Sequence, residues 1–479
     1  LSILSYLTYF LAVLTILISI IIVMENRNPS RTMAWLLVLI LLPVVGIFFY
    51  LYIGQNHRKK KTFIKKRKHD YEVLRQLLQE QASFSQNTYI FKQAFKGLRG
   101  RLIPLLMNNT HSPITVNNET KILKNGDNTY REILDAIRNA KDHIHMEYFI
   151  IKESKIGFEI QQALIEQATA GIKVRLIYDA VGCWKAKKEF FTAMRDAGIE
   201  VFAFLPVSIP LFGSRLNYRN HRKILIIDGK IGFLGGVNIG DEYLGKNPRL
   251  GFWRDTHLKI KGEALYVLQA IFLMDWYFVS GEEIDSIRYF PKQSHCGEQM
   301  IQIAASGPDS YWESIHQAYF TALTSATQKV YMVSPYLIPD ESILVALKTA
   351  AISGIDVRII LPGRYDHKTV FWASRSHFME LLEAGVKIYE YQKGFIHSKI
   401  VIADNNFSSI GTANLDIRSF SLNFEVNAFI YDTDVNREMT IDFLLDLEDS
   451  KEIMLEDHKK RGVSYRVKES LARLFSPIL

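Results

Sequence analysis

The same stretch of chemistry occurs twice in this chain. His221-Arg-Lys-Ile-Leu-Ile-Ile-Asp228 is answered by His397-Ser-Lys-Ile-Val-Ile-Ala-Asp404, and a glycine and an asparagine follow each at the same spacing, ending at Asn238 and Asn414. The flanks repeat as well: residues 170–179 match 353–362 and residues 196–201 match 383–388. The offsets are 183 and 187 residues, against 176 for the histidines. Two copies in one order restrict the fold to two related halves, and one site at their pseudo-twofold interface is the natural consequence.

Between the repeats, short β-branched runs alternate with helical stretches, as in an α/β protein. In the first half the pattern predicts helix over 129–140, strand over 143–151, helix over 157–168 and strand over 174–178. The halves are expected at 113–295 and 296–479. The first carries an insertion before His221, an apolar loop from Phe204 to Phe212. It is expected to pack as a flap, with a route for acyl chains as the alternative.

Residues 1–24 and 33–54 are uncharged apolar runs, each long enough for a hydrocarbon core of about 30 Å, so the sequence predicts a two-helix transmembrane hairpin over 1–54. A basic and helical linker over 55–112 follows. The net charge of +8 is local, because eight of the 58 Lys and Arg residues fall in the acid-free run Arg58–Lys68. The rest of the chain is formally neutral. By the positive-inside rule the part after the hairpin faces the cytoplasm, and the basic run is expected to attract anionic headgroups at about 1 kcal/mol per residue. Neutrality elsewhere argues against a nucleic-acid partner. The amphipathic end around Val467, Leu471, Leu474 and Phe475 is expected to pack on the core, with membrane docking as the alternative.

Residues two apart on a strand share a face, so His221 projects with Lys223 and His397 with Lys399. Asp228-Gly229 and Asp404-Asn405 are turn signals, which makes each motif a hairpin whose returning strand brings back Asn238 or Asn414. Two imidazoles, two ammonium groups and two amides suit metal-free phosphodiester chemistry. One imidazole attacks phosphorus to give a phosphohistidine, and the other protonates the departing alkoxide and later deprotonates the incoming hydroxyl. The lysines and asparagines hold the non-bridging oxygens. Asp228 and Asp404 are counted with His221, Lys223, His397 and Lys399 as catalytic residues of the motif, yet a turn-holding role is at least as well supported by their odd separation from the histidines. Each histidine needs a carboxylate to fix its tautomer. Asp255, 34 residues after His221, and Glu425, 28 residues after His397, are the candidates. Two cysteines and no His-Glu-x-x-His spacing leave no expected metal site, and no cofactor is expected.

With these residues in view, the sequence resembles the phospholipase D superfamily, whose mark is the duplicated His-Lys-Asp motif, and within it the bacterial cardiolipin synthases. The resemblance covers nearly the whole chain. It runs through residues 25–35 with Pro43, Gly46 and Gly54, then 217–223, 235–243 and 253–255, and on to 411–420, 423–425 and 476–479. It implies two phospholipase D-like lobes with mixed β-sheets flanked by helices. It also implies transfer of a phosphatidyl group between two phosphatidylglycerol molecules, giving cardiolipin and glycerol, at the cytoplasmic membrane. His221 becomes the nucleophile and His397 the acid/base by the same resemblance. Phosphatidylglycerol and other anionic lipids are the implied partners, and a homo-oligomer stays open. A phospholipase D hydrolase or a phosphatidylserine synthase would share the covalent intermediate; a nuclease or a lipid-binding scaffold fits the charge and the motifs less well.

Overall fold

A computed structural model describes residues 3–24, 29–50, 66, 97–206, 217–284 and 287–476. It divides into two units, residues 1–65 with 207–218, and residues 66–206 with 219–479.

In the first unit, α1 (Ile3–Met24) and α2 (Pro29–Leu41) are followed by α3 (Pro43–Phe49). The single second span expected over 33–54 is therefore divided. Pro43 has no amide hydrogen to donate, and its ring drives Leu42 out of the helical region, to φ −135°. Ile18 and Ile22 of α1 pack with Leu39, Ile47 and Tyr50. The outward faces are apolar as well, with Phe10, Val13, Ile16, Ile40 and Leu41 exposed. Among the described residues no helix is long and apolar enough to cross a membrane, so the fold alone does not confirm the transmembrane hairpin. The expected linker over 55–112 lies largely outside the described residues; its last part forms the helix Gly97–Thr110. Residues 207–216 of the apolar insertion also lie outside them, whereas Phe204 and Leu205 are buried.

The second unit holds two sheets of matching topology. The first contains β1 (Asn118–Lys124), β2 (His143–Tyr148), β3 (Lys173–Asp179), β4 (Glu200–Phe204), β5 (Lys223–Ile227), β6 (Ile231–Gly235) and β8 (Thr256–Gly262), in the order β1-β8-β6-β5-β2-β3-β4. The short β7 (Phe252–Arg254) stands outside it. The second lobe contains β9 (Ile301–Ser306), β10 (Lys329–Val333), β11 (Leu337–Ile338), β12 (Asp356–Pro362), β13 (Lys387–Tyr391), β14 (Gly394–Ile396), β15 (Ile400–Ala403), β16 (Phe407–Gly411), β17 (Leu415–Asp416), β18 (Glu425–Ile430) and β19 (Ser450–Glu452). Its main sheet runs β9-β18-β16-β15-β10-β12-β13, the same order, with β19 added at the edge.

The inner strands are buried on both faces because helices or the other lobe cover both, as β2, β5 and β16 show by being buried throughout. In the first lobe Ile133 and Ile137, Ile160 and Leu164, and Phe190 and Phe191, from three helices, close over Met146, Leu176 and Leu225. Equivalent strands meet between the lobes, β6 and β8 lying against β16 and β18.

The C-terminal helix Val463–Arg473 departs from expectation. It buries Glu469 and Ala472 and turns Val463, Val467 and Leu471 to the outside. Glu469 is the residue held inward because Arg461 pairs with it at 2.8 Å.

Candidate active site

Each histidine stands where its chain is stitched to the other lobe. Before His221, Asn220 forms a parallel bridge with Phe424, the His221 N–H donates to the Phe424 carbonyl (2.9 Å), and the Phe424 N–H donates to the Arg219 carbonyl (2.8 Å). Before His397, β14 pairs in parallel with β7, and the His397 N–H donates to the Arg254 carbonyl at 2.7 Å. These ladders place the residue after each bridge, Glu425 or Asp255, beside the imidazole of the opposite repeat.

The carboxylates are accordingly exchanged relative to their order in the sequence. His221 Nδ1 lies 2.9 Å from Glu425 Oε2 and 3.0 Å from Oε1, while His397 Nδ1 lies 2.8 Å from Asp255 Oδ2. The expectation that each carboxylate serves the histidine of its own repeat is thus corrected: under a twofold relation, the strand carrying it crosses to the partner. Each acid is fixed in turn. Thr412 and Asn423 donate to Glu425 at 2.5 and 3.2 Å, and Thr256 N–H and Trp253 Nε1 donate to Asp255 at 2.8 and 3.3 Å.

Burial, with the adjacent lysines, lowers both imidazoles to about 4 despite the carboxylates, so both are neutral near pH 7. Burial alone would raise Glu425 and Asp255, but the facing histidines and lysines outweigh it and hold both acids down. With Nδ1–H donated to a carboxylate, Nε2 keeps its lone pair. Burial also lowers Lys223 to about 7 and Lys399 to about 8. Lys399 acts electrostatically on His221 and Lys223 on His397, which marks the four groups as one cluster. Each lysine Nζ donates to the carbonyl of its own histidine, at 2.6 Å for Lys223 and 2.5 Å for Lys399. Phe149 and Trp253 wall the site, with rings 4.9 Å from His221 and 5.1 Å from His397.

The other motif residues lie differently. Asp228 (φ 55°) and Asp404 (φ 49°) sit in the turns at the far ends of β5 and β15, roughly 15 Å of strand from the lysines. Asp228 accepts N–H bonds from Lys141, Asp142 and His143, and Asp404 from Thr327, Gln328 and Lys329. They tie the hairpin to the start of β2 or β10, which corrects their inclusion among the catalytic residues. Asn238 and Asn414 are buried beside the motifs, but their amides have protein partners. Asn238 Oδ1 accepts from the Ile150 N–H (3.2 Å) and Asn414 Nδ2 donates to Asp416 (3.2 Å).

Sequence reasoning missed the charges behind Glu425. Arg222 Nε donates to the Glu425 carbonyl at 3.2 Å and its Nη1 pairs with Asp275. Lys66 Nζ lies 3.0 Å from both Asp275 and Asp309. Glu147, next to Asn220, is pushed up by burial and by Asp275, and Asp275 is held down by Arg222 and Lys66 against its own burial. Lys66 had been counted with the cations facing lipid; it is instead fully buried here. An acid inside the inner strand His-Ile-His-Met-Glu-Tyr was the available signal, since a buried carboxyl requires partners.

Near His397 the surface is indented by a small cleft, lined among others by Tyr336, Arg364, Asp366, Phe371, Arg375 and Phe395. The Phe395 and His397 ring centroids are 6.2 Å apart. Among the described residues no cluster of three or more His, Cys, Asp or Glu side chains is disposed to hold a metal ion.

Comparison with known proteins gives a consistent picture. The family described as "Cardiolipin synthase, PLD-like domain" matches residues 133–276 and 319–446, and "Phospholipase_D-nuclease N-terminal" matches residues 13–55. A cardiolipin synthase of Halalkalibacterium halodurans is 48% identical, over 98% of this chain and 93% of its own length. The cardiolipin synthase of Alkalihalophilus pseudofirmus is 49% identical, over 97% and 92%. The major cardiolipin synthase ClsA of Bacillus subtilis is 40% identical, over 100% of both. Among solved structures, phosphatidylserine synthase of Haemophilus influenzae superposes with a TM-score of 0.60 at 15% identity, over 78% of this chain and 99% of that one, a likeness of fold.

Proposed function

The chain belongs to the bacterial cardiolipin synthases of the phospholipase D superfamily and is a phosphatidyltransferase, and from that premise we propose how its two histidines divide the reaction. The crossed histidine–carboxylate pairs carry this reading. Glu425 holds His221 as the Nδ1–H tautomer, leaving Nε2 to attack the phosphorus of a first phosphatidylglycerol. The N–P bond forms as the P–O bond to the headgroup glycerol breaks, and His397 gives its proton to the departing alkoxide, releasing glycerol. Neutral His397 then takes the proton of a hydroxyl on a second phosphatidylglycerol, whose oxygen attacks phosphorus. Cleavage of the N–P bond yields cardiolipin and restores His221.

His397 must carry a proton in the first step although burial holds it to about 4. The phosphodiester supplies a negative charge there, which favours the imidazolium. Lys223 has ammonium hydrogens beyond the one given to its histidine carbonyl, and Lys399, whose Nζ also lies 3.0 Å from both His397 ring nitrogens, turns from the ring toward the phosphate, so that the two hold the non-bridging oxygens. Asn238 and Asn414 join them through their Nδ2 hydrogens, Asn238 keeping the Ile150 N–H on its Oδ1 and Asn414 Nδ2 leaving Asp416 for a phosphate oxygen.

The same reading puts the enzyme at the membrane. The outward apolar faces of α1, α2 and α3 and the N-terminal family match support insertion of the first unit in the bilayer, with the basic run and the catalytic lobes on the cytoplasmic side. The experiment is purified protein in phosphatidylglycerol vesicles with product analysis. Cardiolipin and glycerol in equal amounts are expected; phosphatidic acid as the main product would overturn transfer in favour of hydrolysis.

A further inference from the structure

The helix Val463–Arg473 is amphipathic, but its apolar side is the one left uncovered. At about 100° per residue, Val463, Val467, Leu471 and Leu474 fall within an arc of about 80°. They are 74, 49, 57 and 74% exposed. Arg466 lies along one edge of this stripe and Lys468 along the other, both exposed, while Arg473, on the Arg466 edge, is held by Glu380. The helix's acid, Glu469, is turned away and neutralised by Arg461. The surface thus offers apolar side chains between basic ones, the pattern of a helix lying in a membrane interface rather than across it.

The opposite side fixes the helix to the second lobe. Ala472 packs with Ala373 and Ile338, the Tyr465 and Trp372 rings are 5.5 Å apart, and Arg473 pairs with Glu380 at 3.0 Å. Trp372 and Ala373 belong to the helix Lys368–Arg375, whose Phe371, Ser374 and Arg375 line the cleft beside His397.

We infer that Val463–Arg473 is an in-plane membrane helix, its apolar stripe in the acyl boundary of an anionic lipid surface and its basic edges at the headgroups. It sets the cleft of the second lobe at the lipid surface. The inference rests on the chain acting on anionic membrane lipid, and it adds a second attachment independent of α1. Charge complementarity selects the occupant: an anionic surface neutralises Arg466 and Lys468, whereas a second copy of the same basic helix would oppose charge to like charge.

The test uses the full chain with Cys296→Ser and an environment-sensitive fluorophore at Leu471→Cys, with Val467→Cys as a second position. It is measured in vesicles of phosphatidylcholine containing phosphatidylglycerol, in phosphatidylcholine alone, and in detergent. The expected result is a blue-shifted emission in the phosphatidylglycerol vesicles, quenched by lipids brominated near the top of the acyl chain. Arg466→Glu with Lys468→Glu should weaken both effects and raise KM for vesicle substrate about threefold or more, with kcat within about twofold. Water-like emission from both labels overturns the proposal, as does a shift that follows protein concentration in detergent, the mark of a second copy. The label reports location whether or not product forms, so cardiolipin synthesis with both labels in water removes the docking helix alone, and lipid-buried labels without cardiolipin remove the functional reading alone.

Discussion

Nδ1 of His221 lies 2.9 Å from Oε2 of Glu425, a residue 204 positions further on and carried by the other repeat. Glu425→Gln keeps the shape but lets the amide present a donor to Nδ1, which favours the wrong tautomer. The expected loss in kcat is on the order of 10³-fold, with KM for vesicle phosphatidylglycerol little changed. Asp255→Asn should behave alike through His397. Turnover close to wild type in either variant contradicts the orienting role.

The pH dependence follows from two opposite requirements. His221 must be neutral to attack, and its value of about 4 makes it so at any pH above that. The lysines must be charged to hold phosphate oxygens, and Lys223 loses its proton as pH rises through about 7, Lys399 through about 8. The profile of kcat, measured at saturating phosphatidylglycerol where the phosphodiester favours the His397 imidazolium, is therefore a bell, with an acid limb near 4 and an alkaline limb starting at or above 7. Arginine stays charged, so Lys223→Arg in a folded, active protein moves the alkaline limb up toward 8. An unchanged limb would assign it to another group.

Asp228 and Asp404 should be separable from catalysis. Alanine at either position strands three backbone N–H groups, a loss of about 1–3 kcal/mol of stability. The folded fraction should keep kcat within about threefold. Unfolding midpoints together with rates per folded enzyme check this, and a thousandfold fall in kcat without loss of stability would restore both acids to the chemistry.

Lys66 gives a contrast between burial and lipid attraction. Lys66→Met leaves Asp275 and Asp309 short of a buried cation and should cost about 3–5 kcal/mol, measured by urea unfolding in detergent without anionic lipid. Lys66→Arg should recover part of it. If the lysine served only headgroups, neither variant would change stability in detergent.

Much of this architecture was legible in the residues. The repeated motif located both hairpins, because alternation fixes which side chains share a face, and Asp228-Gly229 and Asp404-Asn405 mark the turns. The odd offset of Asp228 from His221 correctly pointed away from the site. The pairing of Asp255 and Glu425 was illegible for a physical reason: distance along the chain measures nothing across a twofold axis, where the nearest carboxylate in space comes from the other copy. Lys66 was hidden among seven similar neighbours, and nothing local distinguishes a buried lysine from a solvated one. The C-terminal pattern revealed a helix with two unlike faces, but which of them the lobe covers was decided by the ion pair of Glu469 with Arg461.

The strand exchange that stitches Arg254 to His397 and Phe424 to His221 has a corollary. Either repeat expressed by itself would possess an imidazole lacking its counter-ion and a carboxylate with nothing to orient. Loss of either copy's histidine or carboxylate therefore disables the other copy as well. A single repeat could assemble both histidine–carboxylate pairs only as a symmetric couple of identical chains.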